Sequence, residues 1–185
     1  MKRFDPSSAV LVIIDIQERL APAMPEERMV AVKRSAEILL QAARLWEMPV
    51  LLTEQYPQGL GPTIASISDS LLEQSVHRFE KVEFSACDAF GFDENLKSLG
   101  KDWTIVIGME THVCIFQTVR DLCERGHSVL LPVDGVVSRR EDHRELGLKL
   151  CQAEGARLTT TETLVFDGLR RAGTPEFRAL SKFIR

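Results

Sequence analysis

Cysteine is scarce and scattered. The four in the chain, Cys87, Cys114, Cys123 and Cys151, form no CxxC pair, and no cysteine–histidine group has the spacing of zinc ligands. That argues against a disulfide-stapled or zinc-built module and suits a reducing compartment, so a cytoplasmic protein is expected. There is also no excess of basic residues. The formal net charge is −4 and the lysines and arginines are dispersed, which is not the footprint of a nucleic-acid surface. No apolar run is long enough to span a membrane. The run near the start, at residues 9–14, ends in Asp15 and reads as a strand rather than a signal peptide. Internal repeats, low-complexity tracts and linkers are missing too. One domain over residues 1–185 is therefore expected, long enough to bury a core without covalent or metal staples.

What is present is an alternation of strands and helices. Residues 10–14 form a continuous apolar run, the signature of a parallel strand covered on both faces. Helical spacing follows over 29–46, then an apolar run at 49–53. Breaker residues make 54–62 a loop. A short helix over 64–72, a strand over 76–81 and a helix ending near Gly100 come next. Trp103-Thr104-Ile105-Val106-Ile107, closed by Gly108, reads as a buried strand. Thr111 reads as the N-cap of a helix running to about Arg125, with Gly126 as its stop. A strand over 127–133, a helix over 141–154, a strand over 157–160 and a helix over 175–184 complete the pattern. The expected fold is a doubly wound α/β structure. Its mostly parallel sheet of five to six strands has the order 3-2-1-4-5-6, with helices on both faces.

Such sheets bind ligands beyond the carboxyl ends of their strands, near the point where strand order reverses. Three groups fall there: Asp15 after strand one, Glu54-Gln55 after strand two, and the turn from Glu110 to Cys114 after strand four. Strands one and four are neighbours in this order, so Asp15 and Cys114 share a crevice. With Thr111 as cap, Cys114 occupies the third helical position, where amide N–H groups and the helix dipole favour thiolate. Cys114 is thus a candidate nucleophile and Asp15 a candidate proton acceptor, although buried cysteines are also ordinary packing residues. Nothing in spacing lifts Lys81 above a solvated lysine. Gln17 either orients Asp15 or starts a loop. Glu54 and Gln55 either bind substrate or satisfy the loop, Phe84 either walls a pocket or joins the core, and His112 stands beside the nucleophile.

The segments VLVIIDIQ (10–17), LLTEQYPQGLGPT (51–63), FEKVEFSA (79–86) and GMETHVCIFQT (108–118), with GARLTTTETLVFDGL and PEFRALSKFI in the tail, resemble the isochorismatase-like cysteine hydrolases nearly end to end. Within that family the TEQYPQGLGPT stretch looks like the isochorismatase-domain subgroup with few assigned substrates. The resemblance implies a catalytic Asp-Lys-Cys triad at Asp15, Lys81 and Cys114, in which the lysine favours the thiolate. It also implies a cis peptide between Met109 and Glu110, with neighbouring amides forming an oxyanion hole. A homo-oligomer, a dimer or larger, is implied as well. True isochorismatases cleave a vinyl ether without the cysteine, so Cys114 argues for hydrolysis at a carbonyl. Nicotinamidases hold a metal through Asp and His residues after strand two. Here that loop reads Glu54-Gln55-Tyr56-Pro57, so no metal and no other cofactor is expected. The function expected is a metal-independent cysteine hydrolase cleaving a small amide or related C–N bond through a Cys114 thioester. Its partner is a small-molecule substrate, with no nucleic acid and no membrane. The alternative is a catalytically silent domain that binds a metabolite or serves as a scaffold.

Overall fold

Alternate residues of the central strand face opposite layers, and this organises the molecule. The structure is a computed structural model and describes residues 3–71 and 75–184. Strand β1 (Ala9–Ile14) is buried along its whole length. Leu11 and Ile13 join one apolar layer, while Val10, Val12 and Ile14 join the other. Helix α1 (Glu26–Leu45) packs on the first layer through Val32, Ala36, Leu39 and Leu40. The second layer is covered by α4 (Phe92–Leu99), α5 (Phe116–Glu124) and α6 (Glu141–Ala153), through Phe92, Leu96, Val119, Leu122 and Cys151.

The sheet order is β3 (Val76–Lys81), β2 (Val50–Gln55), β1, β4 (Trp103–Met109), β5 (Ser128–Pro132), β7 (Arg157–Thr159), with every pairing between these strands parallel. The expected topology is present, and the strand expected last lies at its edge. A further strand, β6 (Val136–Val137), pairs with the end of β4 and precedes β7 in the chain. Two residues after a turn carry no periodicity, which is why the sequence did not reveal it.

Other differences are local. Gly108 does not close β4; the strand continues to Met109, and Gly108 pairs with Ile14. A Cβ at Gly108 would sit 2.0 Å from the Ile14 carbonyl oxygen, and its φ is +127°. Only glycine allows β1 and β4 to approach so closely at the end that bears Asp15. The loop after β2 contains a helical turn, α2 (Pro57–Leu60), entered through Tyr56 at φ 37°. The helix expected over 64–72 is a single turn, α3 (Ala65–Ser68), followed by a tighter turn to Leu71; Leu72 lies outside the described residues. Helix α7 (Thr161–Leu169) was not anticipated, because its threonine-rich start reads as strand. Thr160 caps it, accepting a hydrogen bond from the Thr163 amide. The last helix, α8 (Pro175–Ile184), lies where expected and closes a small cluster with α1 and α7 through Leu180, Ile38, Ala42 and Val165.

Candidate active site

Three parallel strands deliver the polar side chains of the site. Asp15 follows β1 in a left-handed conformation, φ 53°, which aspartate tolerates better than most residues. Its side chain is completely buried, and so is that of Lys81, the last residue of β3. The Lys81 Nζ lies 2.7 Å from Asp15 Oδ2. The other carboxylate oxygen, Oδ1, accepts a 2.7 Å hydrogen bond from the Thr53 hydroxyl. A charge taken out of water costs several kcal/mol unless it is paired and hydrogen-bonded, and here both conditions are met. Lys81 is therefore no surface lysine. The partly covered edge strand hides this, since all five residues before it in β3 are half-buried or exposed.

Cys114 reaches the same crevice from the turn after β4, where the Met109–Glu110 peptide is cis. The turn differs from the expected helix start. Thr111 is not a cap. Residues Thr111–Ile115 form a wide turn in which Ile115 donates to the Glu110 carbonyl five residues back, and α5 begins only at Phe116. The amides flanking Cys114, those of Val113 and Ile115, both donate to the Glu110 carbonyl, at 3.0 and 3.2 Å. Cys114 is 7% exposed. Its pKa is pushed up to about 12, first by burial and then by the Asp15 carboxylate, with the Lys81 ammonium lowering it without offsetting the two. Burial thus works against the expected thiolate, and the wide turn removes the capped α-helix start on which that expectation rested. Cys114 stands as a neutral thiol beside a buried carboxylate and a buried ammonium.

The residues considered for substrate binding are mostly engaged with the protein. Gln17 is buried and clamps the loop after β2, donating from Nε2 to the carbonyls of Gln55 (3.0 Å) and Gly61 (2.7 Å) and accepting from the Gln55 amide at 2.8 Å. Glu54 accepts from the Thr63 amide and hydroxyl, at 2.7 and 2.6 Å. Gln55 accepts from Lys81 at 2.6 Å and donates from Nε2 to the Val82 carbonyl at 2.9 Å. Phe84 is outside the core, with its ring half-exposed, and its carbonyl lies 3.3 Å from the Lys81 ammonium. His112 turns away from the crevice: Nδ1 lies 3.0 Å from the Ser138 hydroxyl and its ring lies 4.7 Å from that of His143. Burial lowers its pKa. Glu110 faces the same outer side, paired with Arg139 at 3.1 Å.

Two residues of this arrangement escaped the sequence. Thr53 is an ordinary strand threonine until the neighbouring strand places Asp15 beside it. Thr118 anchors the segment after β3 to α5, accepting from the Ala86 amide at 2.9 Å. The two thus tie the Asp15, Lys81 and Cys114 segments into one frame. Among the described residues, no group of three His, Cys, Asp or Glu side chains converges to hold a metal ion. Beside Lys81 a groove of about 500 Å³ is lined by Tyr56, Val82, Phe90, Glu80, Glu83 and Asp88. Among the described residues no helix is long and apolar enough to cross a membrane.

Residues 9–163 match the isochorismatase domain model. The chain is 34% identical over 186 residues to mouse isochorismatase domain-containing protein 2A, spanning 99% of this chain and 85% of that one. The structure of a protein described as MAR1 ribonuclease from Caenorhabditis elegans superposes with a TM-score of 0.90 at 33% identity, covering 99% of this chain and 92% of that one. The fold is also that of the Escherichia coli YcaC gene product, described as an octameric hydrolase of unknown specificity (TM-score 0.88, 20% identity, 100% and 90% coverage).

Proposed function

The chain belongs to the isochorismatase family, and on that premise we propose that it is a metal-independent cysteine hydrolase of small amides or related C–N bonds. The observation that carries this reading is the fully buried Asp15–Lys81 pair set against the Cys114 thiol. A buried carboxylate held by two donors is a base that does not drift, and a neutral thiol beside it is a nucleophile waiting for one.

The reaction runs as acyl transfer. As Cys114 Sγ attacks the carbonyl carbon, its proton passes to the Asp15 carboxylate, so that free thiolate never accumulates. The Lys81 ammonium favours the negative charge developing on sulfur. Backbone amides around Glu110 and of Cys114 receive the oxyanion. Collapse breaks the C–N bond and Asp15 returns the proton to the leaving nitrogen. Water then attacks the thioester, giving its proton to Asp15; the C–S bond breaks, and the departing sulfur takes that proton back.

Charge around the crevice narrows the substrate. Lys81 is paired with Asp15, and the groove along the end of β3, which neither Asp15 nor Cys114 lines, carries Glu80, Glu83 and Asp88 beside Tyr56, Val82 and Phe90. Such a surface favours neutral substrates with an apolar group over anions. It is also poorly suited to RNA, whose phosphates call for a basic surface, and this weighs against carrying over the activity named for the nematode protein. The four cysteines are free, in keeping with a cytoplasmic protein. Self-assembly belongs to the same reading: Phe90 is 99% exposed beside half-exposed Tyr56 and Phe84, and the E. coli fold neighbour is described as octameric. Light scattering that finds a monomer at micromolar concentration overturns that part.

The test is a turnover screen across amides, ureides and carbamates with Cys114→Ala as blank, followed by mass spectrometry of the wild-type protein quenched during turnover. The expected result is turnover lost in the variant and an acyl mass on the Cys114 peptide. Turnover that survives Cys114→Ala refutes the mechanism. No turnover of any amide-type substrate favours the silent, metabolite-binding alternative.

A further inference from the structure

The Lys81 ammonium has three protons and four oxygen acceptors within reach: Asp15 Oδ2 at 2.7 Å, Gln55 Oε1 at 2.6 Å, and the Glu83 and Phe84 carbonyls at 3.2 and 3.3 Å. No proton is left over for a substrate. The shortest of the four contacts is to Gln55, and Gln55 is itself fixed at every polar group around it. Its Nε2 donates to the Val82 carbonyl, its amide donates to Gln17, and its carbonyl accepts from Gln17. The carboxamide orientation follows from these contacts, since its NH₂ end faces a carbonyl and its oxygen faces an ammonium.

We propose that Gln55 is a positioning residue for the Asp15–Lys81–Cys114 set, and that its uncharged carbonyl sets how much of the Lys81 charge Cys114 feels. The assignment rests on the reading of Cys114 as the nucleophile. A neutral acceptor at this place steers the ammonium toward Asp15 and leaves Asp15 as its one close counter-charge. A carboxylate in its place supplies a second negative charge to the same ammonium and reduces the field favouring charge on sulfur. An apolar side chain removes the negative end of the carbonyl dipole and leaves that field stronger. The polar network around the loop after β2, from Gln17 through Gln55, thereby acts on the thiol without touching it.

The experiment measures labelling of Cys114 by iodoacetamide at pH 7, 8 and 9, by peptide mass spectrometry, in the wild-type chain, Gln55→Glu and Gln55→Leu. Half-buried Cys123, on which Glu154 rather than any member of this network acts, serves as the internal reference in each digest. Gln55→Glu is expected to slow Cys114 labelling about tenfold relative to Cys123 at each pH, one unit of thiol pKa upward. Gln55→Leu is expected to quicken it about threefold, half a unit downward. The opposite signs matter, because loosened packing in either variant only raises access and moves both the same way. Equal labelling in all three proteins, or shifts of the same sign, overturns the proposal. Should Gln55→Glu fail to fold, as judged by its thermal transition, Gln55→Leu decides alone: labelling no faster than wild type overturns it. The readout needs no substrate, so it stands apart from the turnover screen. Shifts of the expected signs without any amide turnover leave Gln55 assigned and refute only the hydrolase reading.

Discussion

Cys87 and Cys114 sit in the same apolar layer, are 4% and 7% exposed, and are both pushed up to about 12, chiefly by burial. By exposure and acidity they are the same residue. Their neighbours differ. The charges acting on Cys87 are those of Arg125, Asp121 and Asp93, which stand at the rim with part of each side chain in water. Those acting on Cys114 are Asp15 and Lys81, wholly enclosed. Solvent screens the first set and not the second. A raised thiol pKa therefore says nothing by itself about reactivity; what distinguishes the two thiols is an ion pair that water cannot reach.

The comparison breaks if the two regions respond alike to substitution. The largest contrast is expected in turnover: Cys114→Ala loses at least about 10³-fold in kcat/KM, as removal of a covalent nucleophile does, whereas Cys87→Ala stays within about twofold. Next comes stability. Lys81→Met leaves the Asp15 carboxylate buried without its cation and is expected to cost about 3–5 kcal/mol in urea unfolding. Arg125→Met removes a rim charge and should cost at most about 1 kcal/mol. Equal losses mean that the inner pair is not enclosed. A smaller effect is expected from Thr53→Val, which keeps shape but strips one donor from Asp15: about 1.5–3 kcal/mol of stability, with turnover reduced and KM little changed.

The last prediction concerns pH. With the Cys114 thiol near 12, the thiolate fraction below pH 10 is small and grows tenfold per pH unit. Alkylation of Cys114 in the absence of substrate should rise with unit slope from pH 7 to 10, and Cys87 should do the same. A plateau for Cys114 below pH 8 means a resting thiolate and refutes the neutral-thiol description. The same raised values bear on folding. Above about 8.5 the unfolded chain releases thiol protons that the folded chain keeps, so this contribution lowers stability as pH rises from about 9 toward 12.

The sheet was legible because its strands are long buried runs. The run at 10–14, the Trp103 run and the alternation with helices point to a doubly wound sheet, and the strand order expected of such a sheet sets Asp15 beside Cys114. Side-chain assignments at the strand ends were less legible. Glu54 and Gln55 look like ligand-binding residues in sequence, yet Glu54 meets Thr63 and Gln55 meets Lys81 and Val82, partners nine to 27 residues away that only the fold supplies. Lys81 carried no periodic signal and was found by resemblance alone. The helix start at Thr111 misled, because a wide turn and a capped α-helix begin with the same residue types, and only the hydrogen bonds to Glu110 separate them.

The clamp of Gln17 on Gln55 and Gly61, with Glu54 on Thr63, makes the segment after β2 part of the chassis rather than a door. A chain that wished to accept a different substrate would gain little by rewriting that segment, since each change there would loosen the frame that holds Lys81. In the stretch from Val82 to Phe90, Ser85 is tied to Asp121 and Ala86, Cys87 and Ala89 are buried, but Val82, Phe84 and Phe90 project into solvent. Those three positions are the interchangeable fittings on this frame, and directed evolution toward a new amide should find its gains there first.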